Sequence, residues 1–440
     1  MEQTVTVIGA GLAGCEAAWQ LAQRGIHVRL LEMKPEKMTP AHTSGDFAEL
    51  VCSNSFRADE LTNAVGLLKQ ELRRLGSLIM ECADANRVPA GGALAVDRAG
   101  YARMVTERIC SHPCIEVVRT EAEELPEGEV IIATGPLTSD AFSAVIARLC
   151  ADEGLHFYDA AAPIVTQESI DFDHAFFASR YGRGTPDYIN CPLTQPEYEA
   201  FWNALCSAEE AEVHGFDDKG VFEGCMPVEV MARRGVDTLR FGPMKPVGLA
   251  DPRTGEEPYA VVQLRKDNAD GTLYNMVGFQ THLRFGEQRR VFGLIPALRD
   301  AAFVRYGKMH RNTYLNAPRL LDRYYRLRGM ERVSFAGQMT GVEGYVESCA
   351  SGMLVGLETA RRLAGLPPLD FPQETAIGAL GLYISGGAVS GNFQPMNVNF
   401  GIIAPLERRV KGKRNKNAAI SARALECIEQ IARRDADGAE

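Results

Sequence analysis

Thr4-Val5-Thr6-Val7-Ile8-Gly9-Ala10-Gly11-Leu12-Ala13-Gly14 opens the chain, and Ile26-His27-Val28-Arg29-Leu30-Leu31-Glu32 follows it. The first five residues are all β-branched, which suits a short buried parallel strand. Ala13, Ala17 and Leu21 then recur at the spacing of one helix face, Gly25 closes that helix, and Ile26 to Leu31 reads as a second buried strand ending in an acid. Gly9 permits the tight bend, Gly11 lets a pyrophosphate approach the backbone, and Gly14 lets helix and strand pack closely. The amides of the helix start, from Ala10 through Leu12 and Ala13, lie at the positive end of its dipole and hold phosphates. Glu32, eighteen residues after Gly14, stands where a carboxylate accepts hydrogen bonds from an adenosine ribose. A lone G-x-G-x-x-G is weak evidence. With strand, helix, second strand and terminal acid around it, it reads as a dinucleotide site rather than a glycine-rich turn in some other α/β protein.

The totals set the frame. With 440 residues the chain has room for two domains, or one large domain with an insertion. A composition of 46% hydrophobic and 24% charged residues is that of an ordinary globular protein, and no apolar run approaches a membrane span. Met1-Glu2-Gln3 is polar and leads straight into the first strand, so no secretory leader is expected. Eleven scattered cysteines without a C-x-x-C pair point to a reducing cytoplasm rather than a disulfide framework or a metal site. A net charge of −10 argues against bulk nonspecific binding to nucleic acid but leaves room for a local basic surface.

Beyond Glu32, two prolines and several turn formers predict a loop through Asp46, leading into Glu49-Leu50-Val51-Cys52-Ser53-Asn54-Ser55. Gly66 to Cys82 is amphipathic and reads as one core-facing helix. Asp97 is a plausible N-cap for a helix to about Cys110, Ile115 to Arg119 reads as a strand, and Val130-Ile131-Ile132-Ala133-Thr134-Gly135 reads as another. A strand ending in Ala-Thr-Gly after the first fingerprint favours FAD over NAD and adds Ala133 and Gly135 to the cofactor residues. From 156 to 329 the character changes. Thr194-Gln195-Pro196-Glu197 is a capping box, and Ala260–Lys266 and Leu273–Phe279 flank a hairpin signal at Asn268–Thr272. No second G-x-G-x-x-G occurs there, so NAD(P)H would have to visit the flavin pocket itself. At Val333-Ser334-Phe335-Ala336-Gly337-Gln338-Met339-Thr340-Gly341 the dinucleotide character returns, with a helix over Ser348 to Ala364. The expected fold is α/β: a Rossmann FAD-binding domain of the glutathione-reductase type, discontinuous over 1–155 and 330–440, with a smaller α+β domain inserted at 156–329.

Two cysteines stand apart by context. Cys52 lies in an irregular loop near the fingerprint, and Cys225 lies between Gly224 and Met226-Pro227. Loops present reactive groups, but most free cysteines are small buried hydrophobes. A basic run follows near the C-terminus: Arg408, Arg409, Lys411, Lys413, Arg414, Lys416 and Arg423, with a candidate continuation in Arg319, Arg323, Arg326, Arg328 and Arg332 beside Tyr324 and Tyr325. It reads either as a solvated face or as a polyanion surface.

The chain resembles the folate- and FAD-dependent tRNA (uracil-5-)-methyltransferases. The resemblance covers nearly the whole length and rests on Val5–Gly14, Leu50–Ser55, Gly224–Pro227, Arg240–Leu249, Gly278–Leu283 and Phe335–Tyr345. A sister family that modifies the anticodon wobble uridine shares the fingerprint but carries a C-terminal helical extension. The resemblance implies formation of 5-methyluridine at T-loop uridine-54, with carbon from 5,10-methylenetetrahydrofolate and FAD reduced by NAD(P)H. The family passes the methylene to flavin N5. A thiolate adds at uracil C6 to make C5 nucleophilic. Carried onto this chain, Cys225 is the C6 nucleophile and Cys52 the general base or the guard of the methylene adduct, and the two roles could be exchanged. FAD falls to Gly9, Gly11, Gly14, Glu32, Gly337, Gln338, Gly341 and Gly344. His282, Arg284 and Lys245 are candidate contacts for folate or tRNA phosphate. The competing readings are an NAD(P)H-dependent flavin oxidoreductase acting on a small substrate, and a non-catalytic FAD-containing RNA-binding protein.

Overall fold

A computed structural model describes residues 4–39, 41–150, 154–160, 162–211, 226–267, 271–307, 309–386, 393 and 395–437. Five parallel strands form the central sheet, in the order 333–335, 129–132, 4–8, 27–32, 115–119. Thr4–Ile8 sits between the strand that follows it in sequence and Glu129–Ile132, so the chain reverses direction across the sheet beside it. That reversal opens a crevice at the carboxyl ends of the strands, where doubly wound folds bind their ligands.

The fingerprint helix spans Leu12–Ala22, and the long helix Tyr345–Leu363 packs along it. The long helix is buried on nearly every side, which suits a helix enclosed by other elements rather than an amphipathic surface one. Close approach is what its glycines permit. A Cβ on Gly352 would lie 2.2 Å from the Ala13 carbonyl oxygen, and one on Gly356 would lie 2.8 Å from that of Ala17. The sequence pattern over 66–82 misses a break: the structure has two helices, Ala64–Arg74 and Leu78–Ala85. Gly76 takes a left-handed φ of 75°, and the Ser77 side chain caps the second helix by accepting from Met80 N.

A second, six-stranded sheet is antiparallel throughout, in the order 176–178, 188–193, 260–266, 273–276, 164–166, 303–305. The expected hairpin is there, with Leu264 opposite Met276 and Lys266 opposite Tyr274, although residues 268–270 of its turn lie outside the described set. The Thr194 capping box forms, with Glu197 accepting from Thr194 N at 2.8 Å. Buried apolar side chains divide into two large clusters, one around each sheet. A two-stranded ribbon of 154–160 against 309–315 runs between them in sequence. Among the described residues no helix is long and apolar enough to cross a membrane.

Candidate functional site

The parallel strands end on a cleft with an empty volume of about 1070 Å³, its open mouth included. Gly9, Gly11, Leu12, Ala13, Glu32, Ala133, Gly135, Gly337 and Gln338 line it, so the structure gathers most of the expected cofactor residues from three distant stretches. Ala10, Gly14, Gly341 and Gly344 are not among its lining residues. Ala10 N donates to Glu32 Oε2 at 2.7 Å while Lys34 N donates to Oε1 at 2.9 Å, which fixes the carboxylate at the end of its strand. A Cβ on Gly14 would lie 1.8 Å from the Gly9 carbonyl oxygen, a clash no side-chain motion relieves.

The residues present fit a dinucleotide such as FAD. A Cβ on Gly11 would meet no protein atom within 4 Å, so the backbone faces the cleft bare. Gly11 caps the fingerprint helix without a side-chain acceptor, and no acid occupies its first turn, leaving the helix's positive end for phosphate. The long helix also starts without a side-chain cap, at Gly344, and its Tyr345 and Ser348 line the same cleft. Two helix starts and a fixed carboxylate suit a pyrophosphate, an electron-rich ring edge and a ribose.

Cys52 stands beside that second helix start. Tyr345 Oη accepts from Cys52 N at 2.9 Å and from Ser53 N at 3.2 Å, and lies 2.9 Å from Cys52 Sγ. With its oxygen accepting from two amides, the phenol's single hydrogen is left to donate to the sulfur. Burial first, then the neighbouring sulfur, push the phenol well above its ordinary pKa, so it keeps that hydrogen. The second sheet anchors the same loop: Arg265 Nη2 donates to Ser53 Oγ at 2.6 Å, and Asn54 Nδ2 donates to the Lys266 carbonyl at 2.8 Å. Arg98 ties Asp267 at 3.0 Å to the Leu50 carbonyl at 2.7 Å. Cys52 is thus held between the long helix and the second sheet.

Cys225 lies outside the described residues; Met226 and Pro227, which follow it, are buried. His282 is buried. Its side chain is 2% exposed and lies between the carboxylates of Glu210 and Glu229. Arg284 is exposed but paired to Glu209 at 2.8 Å, and Lys245 is exposed. The basic run also divides. Arg408, Arg409, Lys411, Lys413, Arg414 and Lys416 are exposed, at and before the start of a helix over Lys413–Asp437 that the sequence reading did not anticipate. Arg423 instead donates to the Pro405 and Ala404 carbonyls. Among the proposed continuation, Arg326 pairs with Asp322 at 2.8 Å, Arg323 with Asp370 at 3.3 Å, and Arg332 donates to Pro126 and Gly128 carbonyls. Those guanidinium groups are engaged within the fold, and Tyr325 is buried.

Sequence reasoning passed over Tyr345 as a site residue, along with His42, Glu49 and Thr120 on the cleft wall. For Tyr345 a signal existed, its place just after Gly344 at a helix start facing the cofactor region. The other three sit on irregular segments whose course no local pattern reveals.

Comparison with known proteins agrees with this geometry. The family described as "Glucose inhibited division protein A" matches residues 4–367. A relative from Acetivibrio thermocellus, named Methylenetetrahydrofolate–tRNA-(uracil-5-)-methyltransferase TrmFO, is 61% identical over 97% of this chain and 98% of its own. Relatives of the same name from Desulforudis audaxviator and Bacillus licheniformis are 62% and 56% identical, covering 97% and 98% of this chain and 97% and 100% of theirs. Aquifex aeolicus GidA has the same fold, with a TM-score of 0.70 at 15% identity over 98% of this chain and 74% of its own. Near-full-length identity above one half, with a parallel-sheet core of the GidA type, places this chain among the enzymes of the methylenetetrahydrofolate–tRNA-(uracil-5-)-methyltransferase family.

Proposed function

We propose that this protein methylates C5 of uridine-54 in the tRNA T-loop, in the cytoplasm, with carbon from 5,10-methylenetetrahydrofolate. The observation that carries the reading is the Cys52 thiol hydrogen-bonded to Tyr345, which with Val51 lines a cleft suited to FAD. Gly9, Gly11, Gly14, Glu32, Gly337 and Gln338, with the starts of the two helices, would hold the cofactor. FAD held there and reduced by NAD(P)H would supply the redox chemistry that turns the transferred carbon into a methyl group.

The chain's own residues do the rest. Uracil C5 is a weak nucleophile until a thiolate adds at C6, forming the S–C6 bond and moving the C5–C6 π pair into an enolate. Cys225 takes that role. After C5 bonds to the carbon unit, its proton leaves to a base and the freed pair expels the carrier, leaving an exocyclic methylene; hydride addition to that carbon then returns a pair to C5, and the double bond re-forms as the S–C6 bond breaks. Cys52 is that base. Tyr345 holds the sulfur by its O–H and stabilises the thiolate before the proton arrives. The exposed cations from Arg408 to Lys416 meet the tRNA backbone.

The test incubates the purified protein with unmodified tRNA transcript, NADPH and isotopically labelled 5,10-methylenetetrahydrofolate, beside Cys52→Ala and Cys225→Ala. Labelled 5-methyluridine in the T-loop, absent from both variants, supports the reading. No label from protein with bound, reducible FAD moves the case to an oxidoreductase of small substrates.

A further inference from the structure

The residues after the Cys52 loop form a short strand, Ser55–Ala58, that pairs irregularly with Ala93–Val96. Ser55 stands opposite Ala95 and Ala58 opposite Ala93, so Phe56 and Arg57 together face the single residue Leu94, a β-bulge. Arg57 takes a left-handed φ of 64°, which a residue with a Cβ seldom adopts. Two side chains hold it there. Lys69, fully buried, donates from Nζ to the Phe56 carbonyl at 2.9 Å and to the Ala58 carbonyl at 2.6 Å, on either side of Arg57. Ser55 Oγ accepts from Arg57 N at 2.9 Å. Bulges re-aim side chains, and strain held by its surroundings clusters at functional sites.

This bulge aims two side chains at the start of the long helix. The buried Phe56 ring lies 6.0 Å from the Tyr345 ring, tilted by 59°. Arg57 Nη2 donates to both carboxylate oxygens of Glu347, two residues beyond Tyr345 in the helix's first turn. The Glu347 side chain is fully buried, and its Oε1 also accepts from Val398 N at 2.9 Å. A Cβ on Gly344 would collide with Glu347 Oε2 and Arg57 Nη2, so the pair lies directly against the backbone where the helix begins. A buried carboxylate that loses its hydrogen-bonded cation shifts or takes up a proton.

Two ties therefore join the Cys52 segment to one helical turn. Tyr345 makes the first, with its oxygen on the Cys52 and Ser53 amides and 2.9 Å from the sulfur. The Arg57–Glu347 pair makes the second, and it sets the turn from which the phenol projects. We propose that Arg57 is a positioning residue for Tyr345, holding the first turn of the long helix through Glu347 so that the phenol meets the Cys52 sulfur. Its bearing on catalysis rests on the reading that Cys52 is the base.

The experiment follows iodoacetamide alkylation of Cys52 against pH, with exposed Cys110 as internal reference. It compares FAD-loaded wild type, Arg57→Gln, Arg57→Gly, Tyr345→Phe and the double variant Arg57→Gln/Tyr345→Phe. Flavin absorbance checks loading, and kcat and KM for tRNA methylation are measured in the same set and in Cys52→Ala. The Cys52 midpoint is expected to rise by about half to one unit in Arg57→Gln, a three- to ten-fold loss of thiolate near neutral pH. In the Tyr345→Phe background Arg57→Gln should add nothing, since residues acting through one contact are not additive. The kcat should fall by a similar factor while KM for tRNA stays within about two-fold. A wild-type midpoint in Arg57→Gln overturns the proposal. So does a full shift added to that of Tyr345→Phe, because the guanidinium would then act on the thiol without the phenol. If Arg57→Gln does not fold, Arg57→Gly decides, since glycine accepts the left-handed backbone. The same rise is expected there, and an unmoved midpoint overturns the proposal. Methylation retained by Cys52→Ala overturns the reading of Cys52 as base instead, and leaves the midpoint result standing.

Discussion

Tyr345→Phe deletes one oxygen from the centre of the Cys52 loop. The Cys52 and Ser53 amides lose their acceptor, and Sγ loses a donor 2.9 Å away. A hydrogen bond to a charged partner contributes about 1.5–3 kcal/mol, so the Cys52 thiolate should rise in energy by that amount relative to the thiol. At 1.36 kcal/mol per factor of ten, the thiolate fraction at a given pH near neutrality falls about ten- to hundred-fold. The ring itself stays, and its packing beside Phe56 should survive. The assay is the rate of iodoacetamide alkylation at Cys52 in FAD-loaded protein, read by peptide mass spectrometry against exposed Cys110 in the same molecules. A Cys52 rate equal to or above wild type, with Cys110 unchanged, refutes the assignment of the phenolic hydrogen to the sulfur.

Three further outcomes are expected. Gly352→Ala puts a Cβ 2.2 Å from the Ala13 carbonyl, and since neither backbone can yield cheaply it should cost about 1–3 kcal/mol and lower FAD retention, measurable as thermal midpoint and flavin absorbance. Burial pushes the Glu71 carboxyl up to about 8 although Ala376 and Ile377 amides donate to it. Its folded pKa therefore exceeds the ordinary Glu value of about 4.3, the native state holds the extra proton between those limits, and stability falls as pH rises through that window. Urea titrations should show that slope reduced in Glu71→Gln by at most about 1.4 kcal/mol per pH unit. Finally, glutamine at Lys411, Lys413, Arg414 and Lys416 should weaken tRNA binding and flatten its dependence on log salt by up to about 3–4 units, whereas Arg323→Gln should change neither.

The parallel-sheet core could be read from the sequence because its signals are local: a β-branched strand, glycines at close approaches, and an acid at a strand end. The same holds for the Asp97 cap, which accepts from Gly100 N at 2.6 Å, and for the Thr194 box. What depended on tertiary partners could not be read so well. Gly76 and Ser77 split a helix whose apolar spacing runs across the break, because a capping hydroxyl and one left-handed residue outweigh periodicity. Nothing in sequence places Glu210 and Glu229 against His282. The arginines from 323 to 332 looked like surface charge until their acceptors came into view. Cys52 drew attention by its irregular loop, but the phenol that makes it chemically distinct is 293 residues away.

The central claim is that one thiol of this chain bonds to uracil C6 while another serves as base. The most direct measurement offers the FAD-loaded enzyme, with NADPH and 5,10-methylenetetrahydrofolate, a tRNA carrying 5-fluorouridine at position 54, whose C5 cannot release a proton. Peptide mapping of the trapped complex should find the nucleotide joined to Cys225, in wild type and in Cys52→Ala alike. A nucleotide joined to Cys52, or no covalent complex from enzyme that methylates ordinary tRNA, would contradict the account.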